Sequence, residues 1–266
     1  MSETEFLELI RQKGVELYRD MPWRRDTRPY YVLVSELMLQ QTQVDRVVPK
    51  FNAFIEQFPD EATLASASLG DVLRLWSGLG YNRRAKYLHE AAKQIVAVHE
   101  GQFPTAYDEI MALPGVGQST AGAITAYAFN QPIAFIETNV RTVYFHHFFN
   151  DEVQISDSEL KKLLEKTIDR QHPREFYWAL MDYGTWLKKN HSSYLAKSKH
   201  YKKQSPLKGS IREVRGKILR LLAEKQIDTQ KLTAHFKDDD RFEPALKGLI
   251  HDGLVQADGT SFHLTK

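Results

Sequence analysis

Four short stretches of the chain combine residue types that can act on a nucleic acid. In Leu113, Pro114, Gly115, Val116, Gly117, continued by Gln118, Ser119, Thr120 and Ala121, two glycines flank one apolar residue behind a proline. Such a sequence turns tightly between two helices and brings amide N–H groups to the surface. A second helix starting at Ser119 or Thr120 would point its positive end at the same place, and phosphate is the matching ligand. A plain pair of antiparallel helices would use the same residues without a ligand. In the run Ser35 to Val44, helical spacing places Glu36, Gln40 and Gln43 on one face and Leu33, Leu37 and Val44 on another. Glu36 then belongs either to a solvated polar face or, bordered by Val32, Leu33 and Leu39, to a low-dielectric pocket that raises its pKa into the range of a general acid.

The third stretch runs from Trp76 through Ser77, Gly78, Leu79, Gly80, Tyr81, Asn82, Arg83 and Arg84. An aromatic residue after a glycine-rich turn, opening a basic helix, makes a tip that can enter a base stack. In the fourth, Phe135 to Arg141, Glu137 follows an apolar run and starts a helix, where an acid also stabilises the helix dipole.

The order and spacing of these motifs resemble the helix-hairpin-helix DNA glycosylases of the endonuclease III superfamily, most of all the MutY-type adenine DNA glycosylases. The resemblance covers about residues 20 to 187 and rests on Pro22 and Trp23, Met38 to Val44, Gly78 to Tyr81, and Leu113 to Ala123. It implies that Glu36 protonates the excised purine, that Glu137 stands where the family carries a catalytic aspartate, and that Asn139 follows it in its usual place. Gln40, Gln41 and Tyr81 would wedge into the duplex or fill the gap left by a flipped base, with Arg83 beside them. Gly115, Val116, Gly117, Gln118 and Ser119 would meet a phosphate, and carbonyls of Leu113 and Val116 would be able to hold a monovalent cation; no other metal is implied. Ser119 stands where strand-cleaving relatives place a lysine, and a hydroxyl cannot form a Schiff base. The resemblance therefore implies a monofunctional glycosylase acting on duplex DNA with a mismatch or damaged base, adenine or another purine being the target. A uracil or thymine mismatch glycosylase and a non-catalytic DNA-binding protein on the same scaffold remain alternatives.

This sequence departs from the family pattern in three places. Most near relatives hold an iron–sulfur cluster on four cysteines just after the segment matching Ala179 to Leu187, whereas this chain has no cysteine at all. Glu137 adds one methylene to the family's aspartate. A winged-helix-like module replaces the Nudix-like domain with which MutY proteins recognise 8-oxoguanine.

The elements that must position these residues follow from periodicity. Apolar residues at three- and four-residue spacing predict helices over 4–19, 31–43, 45–57, 69–76, 83–99, 106–112, 118–129, 138–149, 157–170 and 173–187, with Thr105, Ser156 and Asp157 as caps. Three further helices, 211–225, 230–236 and 242–252, precede a β-hairpin around Asp258 and Gly259, the order of a winged helix. The fold class is mainly α: a two-lobed helix-hairpin-helix glycosylase fold with a small C-terminal α+β domain. Its parts are a six-helix domain over 26–130, a second helical domain from 1–25 and 131–190 without a cluster, a basic linker over 191–210 and the winged-helix-like domain over 211–266.

Composition agrees with a soluble globular protein of 266 residues, 42% hydrophobic and 26% charged, with a net charge of +2. The charge is uneven: between Trp186 and Lys217 lie ten Lys or Arg, Lys188 and Lys189 among them, against the single acid Glu213. That run, interleaved with aromatics, suits DNA phosphates and takes over contacts that a cluster loop otherwise makes. No apolar run is long enough for a membrane helix and the first residues are acidic, so the expected location is cytoplasmic, on the nucleoid when bound to DNA. No apolar heptad argues against a monomer.

Overall fold

The computed structural model describes residues 1–149, 155–191 and 206–265, so most of the expected basic linker, from 192 to 205, lies outside the described residues. The chain forms two compact units: Met1–Glu36, Thr105–Ala112 and Val116–Lys203 make one, and Leu37–Pro104, Leu113–Gly115 and Gln204–Lys266 make the other.

The first unit contains α1 (Glu3–Glu16), α2 (Pro22–Arg25), most of α3 (Pro29–Leu39), α8 (Tyr107–Met111), α9 (Gln118–Tyr127), α10 (Thr138–Phe148), α11 (Asp157–Thr167) and α12 (Pro173–Asn190). Helix α12 is its axis, with α1 and α10 laid along it. Two close approaches fix those crossings. A Cβ at Gly14 would come within 3.0 Å of Ala179, and one at Gly184 within 2.6 Å of Asn139. The core between the helices is aromatic, with Phe6, Tyr144, Phe145 and Tyr177 all buried. Beneath them the Arg24 guanidinium donates to both Asp182 carboxylate oxygens at 2.6 and 3.0 Å, and the two side chains are only 2% and 1% exposed. Arg19 adds its Nε and its backbone N–H to the same carboxylate.

The second unit holds α4 (Val44–Gln57), α5 (Glu61–Ser66), α6 (Leu69–Trp76) and α7 (Arg83–Val98). The C-terminal module belongs to it as well: α13 (Ile211–Glu224), β1 (Ile227–Asp228), α14 (Thr229–His235), α15 (Phe242–His251), β2 (Val255–Ala257) and β3 (Ser261–Leu264). The hairpin strands pair antiparallel, Val255 opposite Leu264, and β1 joins the free edge of β3 to give the order β1-β3-β2. Val214, Ile218 and Leu222 bury one face of α13. The module is docked on the helices before it: Arg74 Nε donates to the Ala223 carbonyl at 3.0 Å and Lys86 Nζ to that of Asp252 at 2.9 Å.

The chain departs from the periodicity reading at several ends. Two short helices, α2 and α5, and the two-residue strand β1 escape it, being too short to show a period. Ser156 caps α11 with a full capping box, but Ala106 and not Thr105 precedes α8, and α9 starts at Gln118 rather than at Ser119 or Thr120. The largest correction concerns α3, which stops at Leu39 instead of continuing to residue 43. Gln40 and Gln43 therefore do not share a helical face with Glu36: Gln40 and Gln41 lie in the turn, and Gln43 is the N-cap of α4.

Candidate functional site

Glu36 sits near the end of α3, where the flanking Val34, Leu37 and Met38 are buried. Burial of its carboxyl, with the added charge of Glu137, pushes its pKa up to about 8. The two acids, 101 positions apart in the sequence, are thus brought within electrostatic reach of each other in the first unit. Glu36 is half-buried rather than on a fully solvated face, and burial is the first cause of its raised pKa.

Glu137 is the N-cap of α10: its Oε1 accepts the N–H of Asn139 at 2.5 Å and of Val140 at 3.2 Å. The dipole role is therefore real, and it uses one carboxylate oxygen. Desolvation raises the Glu137 pKa, while the charge of Lys188 and the helix N–H groups pull it back down. Lys188, exposed on the last turn of α12, responds in turn: partial desolvation of its ammonium lowers its pKa and Glu137 raises it. Neither offset acts on Glu36. Burial raises both carboxyls of the pair, and only Glu137 has a cation and helix N–H groups that favour its charged form.

The backbone that delivers Glu137 is fixed from three sides. Tyr177 takes the Phe135 N–H at 3.2 Å and donates to the Ile133 carbonyl at 2.7 Å. Ser119 donates its hydroxyl to the Ile136 carbonyl at 2.8 Å, one residue before Glu137. Phe135 packs so tightly on α9 that a Cβ at Gly122 would stand 2.4 Å from its own. Asn139 is held on α12, where its amide lies 3.6 Å from Met181 Sδ. Tyr127, missed from the sequence, is buried within electrostatic reach of both acids. Burial first, then the charges of Glu36 and Glu137, keep its phenol protonated far above its ordinary range. A tyrosine at the end of an apolar helix reads as core, so no local signal marked it.

At the hairpin, Gly115 has φ +77 and a Cβ there would meet Tyr87 at 2.6 Å, so glycine is required twice over. Gly117 faces open space and leaves the first N–H groups of α9 uncovered, while Val116 is buried and can act only through its backbone. Gln118 and Ser119 are exposed on that first turn. Lys188 and Lys189 are exposed at the end of α12.

In the second unit, Gln41 and Tyr81 occupy two separate turns, and both are in the left-handed region, at φ 56 and φ 48. One side chain ties the turns together. Arg84, 6% exposed, donates to the carbonyls of Leu37, Met38 and Gln40 at 2.6 to 2.9 Å on one side. On the other side it donates to those of Leu79 at 3.3 Å and Gly80 at 2.9 Å. Tyr81 itself is 37% exposed, and Arg83 donates to Tyr87 Oη at 2.6 Å.

The described residues contain no group of three His, Cys, Asp or Glu able to hold a metal ion and no helix long and apolar enough to cross a membrane. With no cysteine in the chain, a cysteine-held iron–sulfur cluster is impossible.

The family described as "HhH-GPD superfamily base excision DNA repair protein" matches residues 34–170. The chain belongs to the HhH-GPD superfamily. Among its relatives, a protein named adenine DNA glycosylase from Buchnera aphidicola subsp. Baizongia pistaciae is 39% identical over 170 residues, 62% of this chain and 48% of that protein. This chain thus spans about half of that relative. A protein of the same name from Mycobacterium tuberculosis is 33% identical over 261 residues, 90% of this chain and 86% of that one. The HhH-GPD fold is shared with a solved thermostable thymine-DNA glycosylase at TM-score 0.64 and 23% identity, covering 73% of this chain and 91% of the other. The superfamily match takes in Glu36, Tyr81, the hairpin and Glu137, and stops before Lys188 and α13.

Proposed function

We propose that this protein is a monofunctional DNA glycosylase that flips a base, adenine or another purine in a mismatch, out of duplex DNA and hydrolyses its N-glycosidic bond with water. The observation that carries the reading is the desolvated Glu36 carboxyl, protonated up to about pH 8 beside Glu137. A neutral purine leaves poorly until a ring nitrogen is protonated, and an acid with a pKa near the working pH does this best. Glu36 is that acid. Glu137, anchored through Oε1, stabilises the positive charge that develops on the sugar and orients water, with Asn139 bracing it and Tyr127 available as a neutral hydrogen-bond donor.

Gln40, Gln41 and Tyr81 form the wedge that replaces the flipped base, and the N–H groups at Gly115 to Ser119, helped by Arg83, Lys188 and Lys189, hold phosphates. A monovalent cation on the carbonyls of Leu113 and Val116 would add positive charge for the same phosphates. Ser119 is committed to the Ile136 carbonyl and carries no amine, so no imine forms and the product is an intact abasic strand.

Single-turnover assays on duplexes with adenine, uracil or thymine in a mismatch, developed with alkali, test the reading. Excision of adenine that Glu36→Gln abolishes, with no borohydride-trapped protein–DNA adduct, is the expected result. Release of pyrimidines alone, or purine release that survives Glu36→Gln unchanged, would refute it.

A further inference from the structure

The second unit holds a cavity of about 840 Å³, walled by the turn from Ser77 to Arg84 on one side, with the wedge residues Gln40, Gln41 and Tyr81, and on the other by α13, to which none of the roles above is assigned. Its lining is rich in arginine: Arg46 and Arg83 come from the helices before Pro104, and Arg212, Arg215 and Arg220 from α13. The acids among them are engaged. Asp252 pairs with Arg215 at 2.5 Å, and Glu213 pairs with Lys217 at 3.3 Å and Arg241 at 3.2 Å. The cavity therefore carries net positive charge.

Its shape follows from α13. With Val214, Ile218 and Leu222 turned into the module, Arg212, Gly216 and Arg220 recur every four residues along another stripe of the helix. Gly216 puts no side chain between the two arginines, and the Arg220 guanidinium lies over it, 3.9 Å from where a Cβ would stand. One end of the stripe touches the expected wedge. Arg212 donates to Tyr81 Oη and lies 5.6 Å from the ring centroid, the same distance as Arg84.

We propose that α13 is a DNA-contacting helix of the C-terminal module and that this cavity holds the phosphodiester backbone of the strand beside Tyr81. The positive lining and the shared tyrosine favour a polyanion over a protein partner. The proposal rests on the reading of Tyr81 as a wedge in duplex DNA, and it gives the docked module a role that a tethered adaptor would not have. A winged helix that reads DNA through its third helix would present α15 instead.

The test is equilibrium binding of the full-length chain to a fluorescein-labelled duplex over about 50 to 300 mM salt, since each phosphate contact contributes about 0.9 to the slope of log K against log salt. Arg212→Gln with Arg220→Gln is expected to lower the slope by about 1.8, with weaker binding at low salt. Lys231→Gln with Lys247→Gln removes the same charge from α14 and α15 and is expected to leave the slope as it was. If the double variant fails to fold by circular dichroism, the exposed Arg220→Gln alone should lower the slope by about 0.9. An unchanged slope in the arginine variants, or an equal fall in the lysine pair, overturns the proposal. Excision is scored separately: normal adenine release with an unchanged slope defeats only this inference, and a lowered slope without base release defeats only the glycosylase reading.

Discussion

Glu36 lies within electrostatic reach of Glu137, 101 positions away in the sequence. Burial is the main cause that lifts the Glu36 pKa to about 8, and the charge of Glu137 adds to it. If Glu36 delivers its proton, single-turnover excision should be nearly level through neutral pH and fall tenfold per pH unit above about 8. Taking the Glu137 charge away should lower the Glu36 pKa. Carboxyl NMR of Glu36 in Glu137→Gln is expected to show a downward shift; an unmoved titration would mean that the two groups do not sense each other.

The same proton has a stability signature. A carboxyl raised from an ordinary value of 4.5 to about 8 by folding gives stability that is complete below pH 4.5 and is lost as pH rises to about 8. Glu36→Gln escapes that loss. The variant should melt progressively higher than wild type across this window and then hold a constant advantage, on the order of a few kcal/mol at most. An advantage independent of pH would contradict the burial of Glu36.

Substitutions can separate the capping of α10 by Glu137 from the part proposed for it in the reaction. Glu137→Asp keeps an acceptor suited to the cap of α10, so thermal stability should change little, whereas Glu137→Ala should cost about 1 kcal/mol. Activity should respond differently. The shorter aspartate retracts the carboxylate by roughly 1 Å, and when positioning carries the reaction this costs about a hundredfold in rate. A faster Glu137→Asp enzyme would show that the pocket is not fitted to glutamate.

Asp182 answers three groups, the Arg24 guanidinium and the Nε and backbone N–H of Arg19, in a place with almost no solvent. Asp182→Ala would leave the Arg24 charge buried without its acid, a change that typically costs 3–5 kcal/mol, so about that loss should appear in urea unfolding. A loss below about 1 kcal/mol would place the pair at the surface energetically.

Much of this was legible in the chain before any coordinates. The helices that carry Glu36 and Glu137, the hairpin glycines and the order of the C-terminal module follow from local spacing and turn chemistry. What local spacing cannot hold is the effect of a distant side chain. Residues 35–44 look helical throughout, but Arg84, more than forty positions away, takes the carbonyls of Leu37, Met38 and Gln40. The last carbonyls of a helix have no intrahelical partner, and the Arg84 guanidinium satisfies them where α3 ends at Leu39. Tyr127, the tie between Lys188 and Glu137, and that between Arg212 and Tyr81 are opaque for a similar reason: each depends on a partner on another element.

Arg84 is therefore the residue on which the wedge geometry depends. Gln41 and Tyr81 both hold a left-handed backbone that costs a non-glycine residue roughly 1–2 kcal/mol, and Arg84 supplies the hydrogen bonds that outweigh it. Removing the guanidinium leaves several buried carbonyls unpaired at about 1–3 kcal/mol each, so Arg84→Ala should lose 3 kcal/mol or more, about that of a disrupted buried network. Gln41→Gly acts in the opposite sense on stability. It relieves the backbone and should melt at or slightly above the wild-type temperature, yet it removes a side chain that the proposed wedge places in the duplex. Excision by Gln41→Gly should slow while stability holds, and 2-aminopurine fluorescence beside the target base should report less flipping. Equal flipping in Gln41→Gly would mean that this turn is strained for packing alone.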